Sequence, residues 1–138
     1  RTPMQWSAGE HAGFSRVEPW LPVSPKHKTV NVASLEKGPD SLLYLYKQLL
    51  KLRETQPALK YGTYRSLNFG PKVYGFVRDY GMDRSTVILN FTDEPVELTS
   101  KSLKGLVTLS TLPASMGKIV RGSVHLEPHE GMIINATR

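Results

Sequence analysis

DSLLYLYKQLLKLRET, residues 40–55, is the only segment of this chain with a sustained helical period. Apolar side chains recur at Leu42, Leu43, Leu45, Tyr46, Leu49, Leu50 and Leu52. At 3.6 residues per turn they sweep an arc of about 180°, wider than the roughly 100° stripe of an ordinary surface helix. Lys47, Gln48, Lys51, Glu54 and Thr55 take the opposite side. Asp40 or Ser41 can cap the start, and Pro57 ends the run because proline cannot continue a helix. So broad an arc needs two packing partners. The residues after Pro57 can supply one of them. The residues before Asp40 are too irregular to supply the other, so part of this helix's partner is expected to lie outside the chain.

Downstream of Pro57 the period changes to 2. Residues 63–69 (TYRSLNF) and 72–79 (KVYGFVRD) read as strands joined by an Asn-Phe-Gly-Pro turn, with Val73, Gly75 and Val77 on one face of the second. Residues 85–91 (STVILNF) are apolar or β-branched through their middle, as expected of a central strand buried on both faces. Shorter candidates occupy 96–99, 106–110, 119–120, 123–126 and 132–135. About eight short strands with Gly, Pro and Asp between them point to an all-β antiparallel sandwich.

Upstream, RTPMQWSAGEHAGFSRVEPWLPVSPKHKTVN (1–31) has no regular period. Pro3, Pro19, Pro22, Pro25, Gly9 and Gly13 interrupt it. It nevertheless holds both tryptophans of the chain, Trp6 and Trp20, with Met4 and Phe14. A loop this rich in large apolar groups must be tied down, either as a packed connector or as one wall of a ligand site.

A chain of 138 residues with 39% hydrophobic and 22% charged content is long enough for a real core. The net charge of +6 is scattered, with no run of like charges, and predicts a solvated surface rather than a nucleic-acid partner. There is no cysteine, so a disulfide framework and thiolate metal sites are excluded here. No apolar run approaches the eighteen or so residues that span a bilayer. An arginine start with no charged-then-apolar leader reads as a processed piece.

The chemistry sought is mostly missing. Glu10, Glu18, Glu36, Asp79, Asp83, Asp93 and Glu94 fall in turns or on polar faces, with no carboxylate pair set up for acid–base work. His125 and His129 have the spacing of a helical zinc pair, but Pro128 prevents the helix, so neither a metal nor a cofactor is expected. Asn90-Phe91-Thr92 and Asn135-Ala136-Thr137 fit the glycosylation triplet, and both asparagines are expected to be exposed. Arg1 offers a planar fork of donors suited to carboxylates and sugar hydroxyls.

Arg1-Thr2-Pro3-Met4-Gln5-Trp6, then His11-Ala12-Gly13-Phe14-Ser15, Pro19-Trp20-Leu21-Pro22-Val23 and Lys28-Thr29-Val30-Asn31-Val32 form a connected signature. With the leucine helix and Val87-Ile88-Leu89-Asn90-Phe91-Thr92, it resembles the α-glucosidases of glycoside hydrolase family 13, in particular the insect maltases and oligo-1,6-glucosidases. Ser7 stands where that family commonly has Asp. The resemblance implies that residues 1–57 are the last βα loop and final helix of a (β/α)8 catalytic barrel, and that residues 58–138 are its C-terminal antiparallel β-domain. It implies a secreted or surface-attached maltase. That enzyme would release terminal α-1,4-linked glucose with retention from maltose, sucrose or short oligosaccharides. Its catalytic Asp, Glu and Asp would lie upstream, so the piece alone is expected to be inactive. The partners implied are that upstream barrel and, through it, the oligosaccharide substrate. Arg1 is assigned the family arginine that faces the innermost sugar subsite. A non-catalytic relative, such as the heavy subunit of an amino-acid transporter or a receptor, and a stand-alone β-sandwich binding module are the alternatives.

Overall fold

The computed structural model describes residues 1–136. It divides into two compact units, Arg1–Gln48 and Leu49–Arg138. The break falls inside the long helix.

The first unit is a loop pinned by short helical turns. A 3-10 turn at Pro25–Lys28 starts on Ser24, whose hydroxyl accepts from the Lys26 N–H. It leads to α1, Val32–Leu35, whose N-terminus carries a reciprocal capping box. Asn31 Oδ1 accepts from the Ser34 N–H at 2.9 Å, and Ser34 Oγ accepts from the Asn31 N–H at 3.2 Å. Ser41 then caps α2, Leu42–Thr55, by accepting the Tyr44 N–H while donating to the Leu35 carbonyl at 2.7 Å.

No residue of α2 is buried. Leu42, Tyr46 and Leu50, four residues apart and therefore on one stripe, are 66%, 59% and 66% exposed. Leu43, Leu45, Leu49 and Leu52 are half-buried. Part of the broad apolar arc is left uncovered among the described residues.

Pro57 does more than stop α2. It takes the first position of α3, Pro57–Tyr61, where its missing N–H goes unneeded and its fixed φ suits a helix start. Ala58 of α3 is fully buried, and α3 lies against the second and third strands of the sheet.

The strands are β1 Thr63–Asn68, β2 Val73–Tyr80, β3 Asp83–Asn90, β4 Val96–Ser110, β5 Ile119–Leu126 and β6 Gly131–Asn135. They form an antiparallel six-stranded sheet, in the order β1-β2-β3-β6-β4-β5. The antiparallel β-domain is as expected; the number of strands differs among the described residues. The segments expected at 96–99 and 106–110 are one strand, β4, continuous through a register shift between Thr99 and Lys104. Those expected at 119–120 and 123–126 are likewise one, β5. Gly122, expected to separate them, stays within the strand at φ +98°.

Val73, Ile88, Leu98, Leu103, Val107, Val120, Val124, Leu126, Met132 and Ile134 make one core. They come from β2 through β6, so the sheet curls over its own inner face. β3 is buried from Ser85 to Ile88, as its composition requires, and all of β6 is buried beside it. Gly105 marks the tightest crossing. A Cβ there would meet the Asn135 carbonyl oxygen at 2.0 Å, and its φ is +145°. Only glycine fits.

Candidate functional site

The hexapeptide at the front is held by main-chain bonds from two sides. The Trp6 and Ser7 N–H groups both donate to the Ala12 carbonyl, at 2.9 and 3.0 Å. This closes a loop in which His11, Ala12 and Gly13 all have positive φ, at 49°, 58° and 66°. Two of the three are non-glycine residues in a region costly for L side chains. Ala12 is fully buried at its centre. The Ser7 hydroxyl accepts from the Gly9 N–H inside the same loop at 3.3 Å. Ser7 thus makes a turn contact of its own at the position where the resembled family commonly has Asp.

From the other side, the Gln5 and Trp6 carbonyls accept the N–H groups of Val32 and Ala33, at 2.9 and 3.0 Å. These are among the first donors of α1, which have no partner within their own helix. Asn31, almost fully buried, adds a bond from Nδ2 to the His27 carbonyl at 2.8 Å. Residues 5–6 are therefore fastened to a helix start 27 positions away in sequence. Arg1 lies exposed four residues before this fastening. The side-chain oxygen of Gln5 is closed off from solvent and has no donor among the described residues.

Next to it, Thr2, Pro3, Phe14, Ser15, Val17, Glu18, Pro19, Trp20 and Leu21 line a groove of about 390 Å³. Trp20 is 92% exposed. Of the two readings of this loop, packed connector and wall of a ligand site, the groove supports the second, since its lining offers aromatic surface, hydroxyls and a carboxylate.

The two glycosylation triplets fare differently from expectation. Asn90 is buried, not exposed, and its amide is fully used. Nδ2 donates to the Glu94 and Glu127 carbonyls at 2.8 and 3.0 Å, while Oδ1 accepts the Thr92 N–H and hydroxyl at 3.0 and 2.8 Å. The amide that a glycan would modify is the one that joins β3 to the turn before β6. Asn135 is buried as well, and its Oδ1 accepts from the Ser85 hydroxyl at 2.8 Å. Thr137, the third residue of that triplet, lies outside the described residues.

Sequence reasoning missed Glu130. This carboxylate is 1% exposed and accepts from the Ser110 hydroxyl at 2.6 Å and the Glu127 N–H at 3.0 Å. Its main chain binds Asn90 N–H at 2.9 Å. With Asn90 it ties together the ends of β3, β4 and β6. The available signal was its place directly before the apolar run Gly-Met-Ile-Ile at 131–134. His125 and His129, rejected as a metal pair, each bind a carboxylate instead. Nδ1 of His125 sits 2.5 Å from Glu97, and Nε2 of His129 lies 2.7 Å from Asp93. The Glu97 bond holds the His125 pKa above its ordinary value, against a smaller desolvation effect.

The chain thus carries a fastened loop, a leucine helix with an uncovered stripe and an antiparallel β-domain. Residues 1–62 match the alpha-amylase family over its catalytic domain, and the chain belongs to that family, glycoside hydrolase family 13. It is 43% identical over 95 residues to the oligo-1,6-glucosidase of Bacillus cereus, covering 68% of this chain and 17% of that enzyme. It is 35% identical over 135 residues to the glucan 1,6-alpha-glucosidase of Streptococcus dysgalactiae subsp. equisimilis, covering 97% and 25%. Among solved structures, isomaltulose synthase from Klebsiella sp. LX3 superposes with a TM-score of 0.86 at 32% identity, over 97% of this chain and 24% of that one. The chain thus spans about a quarter or less of the length of these relatives.

Proposed function

We propose that the protein carrying this chain is a retaining α-glucosidase that releases terminal α-linked glucose from maltose, sucrose or short oligosaccharides. The observation that carries the reading is the likeness to the two glucosidase relatives, at 43% and 35% identity. The names of the two glucosidase relatives extend the proposed links from α-1,4 to α-1,6. In this reading the nucleophile and the acid/base are carboxylates upstream of residue 1, about 5–5.5 Å apart as retention requires.

This chain's own contribution is positional. The bonds from Gln5 and Trp6 to the start of α1 fix the backbone close to Arg1. Its guanidinium then presents a planar, permanently charged fork to a sugar hydroxyl and a neighbouring carboxylate. The uncovered stripe of Leu42, Tyr46 and Leu50 supplies the docking face for the upstream barrel.

The test is an assay of the longer protein on maltose, isomaltose and sucrose, with the anomer of the released glucose followed by NMR. Release of α-glucose is expected. Arg1→Ala should lower kcat/KM about 100-fold or more, as loss of a charged contact to the reacting sugar does. Absence of hydrolysis on all three sugars, or release of β-glucose, overturns the proposal. The first of these results would favour a non-catalytic relative.

A further inference from the structure

A cleft of about 830 Å³ opens on the outer face of the β-domain where β4 and β5 lose register, lined by Lys101, Lys104, Ile119, Val120, Arg121 and Gly122. Its lining comes from β4 and β5 alone. Lys104 and Arg121 are direct cross-strand partners. Residues so paired project to the same face with Cβ atoms about 5 Å apart, and like charges placed this way destabilise a sheet. Ordinarily a carboxylate nearby offsets the repulsion. None lines this cleft, and neither Lys101, Lys104 nor Arg121 enters an ion pair among the described residues.

The shift between Thr99 and Lys104 adds the third cation. It swings Lys101 out of the ladder to the rim of the same cleft. Gly122, at φ +98° and with nothing within 4 Å of where a Cβ would be, leaves the opposite wall open. Ile119, 62% exposed, provides an apolar surface beside the charges. Because β5 is an edge strand, its cations can also serve to discourage pairing with another chain. One cation aimed at solvent suffices for that. Three lining one cleft, two of them cross-strand partners, are more than the edge requires.

We propose that this cleft binds a phosphate group, with Arg121 as the bidentate ligand and Lys101 and Lys104 as point charges. The dianion removes the cross-strand repulsion. The volume is several times that of inorganic phosphate and within the range of small-ligand sites, which leaves room for a phosphorylated sugar with its ring against Ile119.

The test titrates the 138-residue chain with sodium phosphate and with glucose 6-phosphate by calorimetry, in sodium chloride at matched ionic strength, alongside the double variant Lys104→Gln/Arg121→Gln. Saturable binding that weakens at least about tenfold in the double variant is expected, that being the usual cost of lost charge-assisted bonds. Tighter binding of glucose 6-phosphate identifies a phosphate ester as the ligand, and equal binding identifies free phosphate. Without any phosphate, Lys104→Gln alone should raise Tm, because it relieves the opposed charges; a purely structural Lys104 would lower it. No saturable binding, or equal binding by a double variant whose circular dichroism is unchanged, overturns the proposal and leaves the three cations as guards of an edge strand.

Discussion

Replacing Asn90 by alanine isolates the polar knot that closes the β-domain. Four hydrogen bonds disappear with its amide. The Glu94 carbonyl still accepts from the Thr92 hydroxyl at 3.1 Å, so it is not stranded. The Glu127 carbonyl likewise keeps the Glu130 N–H at 3.0 Å. The Thr92 N–H alone loses its partner. A stranded group costs about 1–3 kcal/mol. A loss of about 2 kcal/mol is therefore expected, which lowers Tm by roughly 8–16 °C in a unit of about 90 residues. Urea unfolding of the 138-residue chain measures it, followed by circular dichroism in the sheet band because both tryptophans lie outside the β-domain. Asn90→Asp sharpens the test. It keeps the acceptor toward Thr92 but turns a carboxylate oxygen toward two carbonyls. Its folded pKa must rise above the unfolded value of about 3.9, so the variant is most stable below that pH and loses stability as pH rises through the folded pKa. A loss under about 1 kcal/mol for the alanine variant, or no pH dependence for the aspartate variant beyond that of the parent, refutes the reasoning.

Gly105→Ala should cost about 4 kcal/mol or more, because the added Cβ meets main-chain atoms of Asn135 that no rotamer can move aside; loss of the sheet signal at 25 °C checks it. His125, its pKa raised mainly by Glu97, contributes stability that is fully present below its unfolded pKa of about 6.5 and is lost as pH rises through the higher folded value. His125→Gln should flatten that part of the pH–stability curve, and an NMR titration of the ring reads the raised pKa directly. Leu42→Lys and Leu50→Lys should each change the stability of the 138-residue chain by about 0.5 kcal/mol or less, since two thirds of each side chain already faces water. If the upstream barrel covers them in the longer protein, the same changes there should cost about 1–2 kcal/mol apiece.

Much of the fold was legible because its signals were local and periodic. Val73, Gly75 and Val77 alternate with Tyr74, Phe76 and Arg78, and the inward set is the buried one. The leucines of α2 announced more apolar surface than their neighbours cover. What escaped depended on geometry beyond the period. Pro57 reads as a stop, and nothing in its own identity says that it also opens α3. Gly105 and Gly122 look like strand breaks, yet each lets a strand continue where a side chain would clash or strain. At the front site, the residue pattern drew attention to Arg1 and to the loop walls. The fastening of Gln5 and Trp6 to Val32 and Ala33 could not be seen, because it is made by main-chain atoms that every sequence shares. Asn90 was misjudged and Glu130 overlooked for a related reason. Polar residues beside turns are usually solvated, and only the three-dimensional meeting of strand ends makes an interior for them.

The double fastening of the hexapeptide has an evolutionary consequence. Its anchors, the Ala12 carbonyl on one side and the start of α1 on the other, leave the stretch from Phe14 to Val23 outside the clamp. Within that span only Arg16, Val17 and Glu18 lie between the signature blocks, and they can change in number or composition while the backbone beside Arg1 stays in place. They behave as an exchangeable cassette, through which descendants of one scaffold can be retuned without rebuilding the frame.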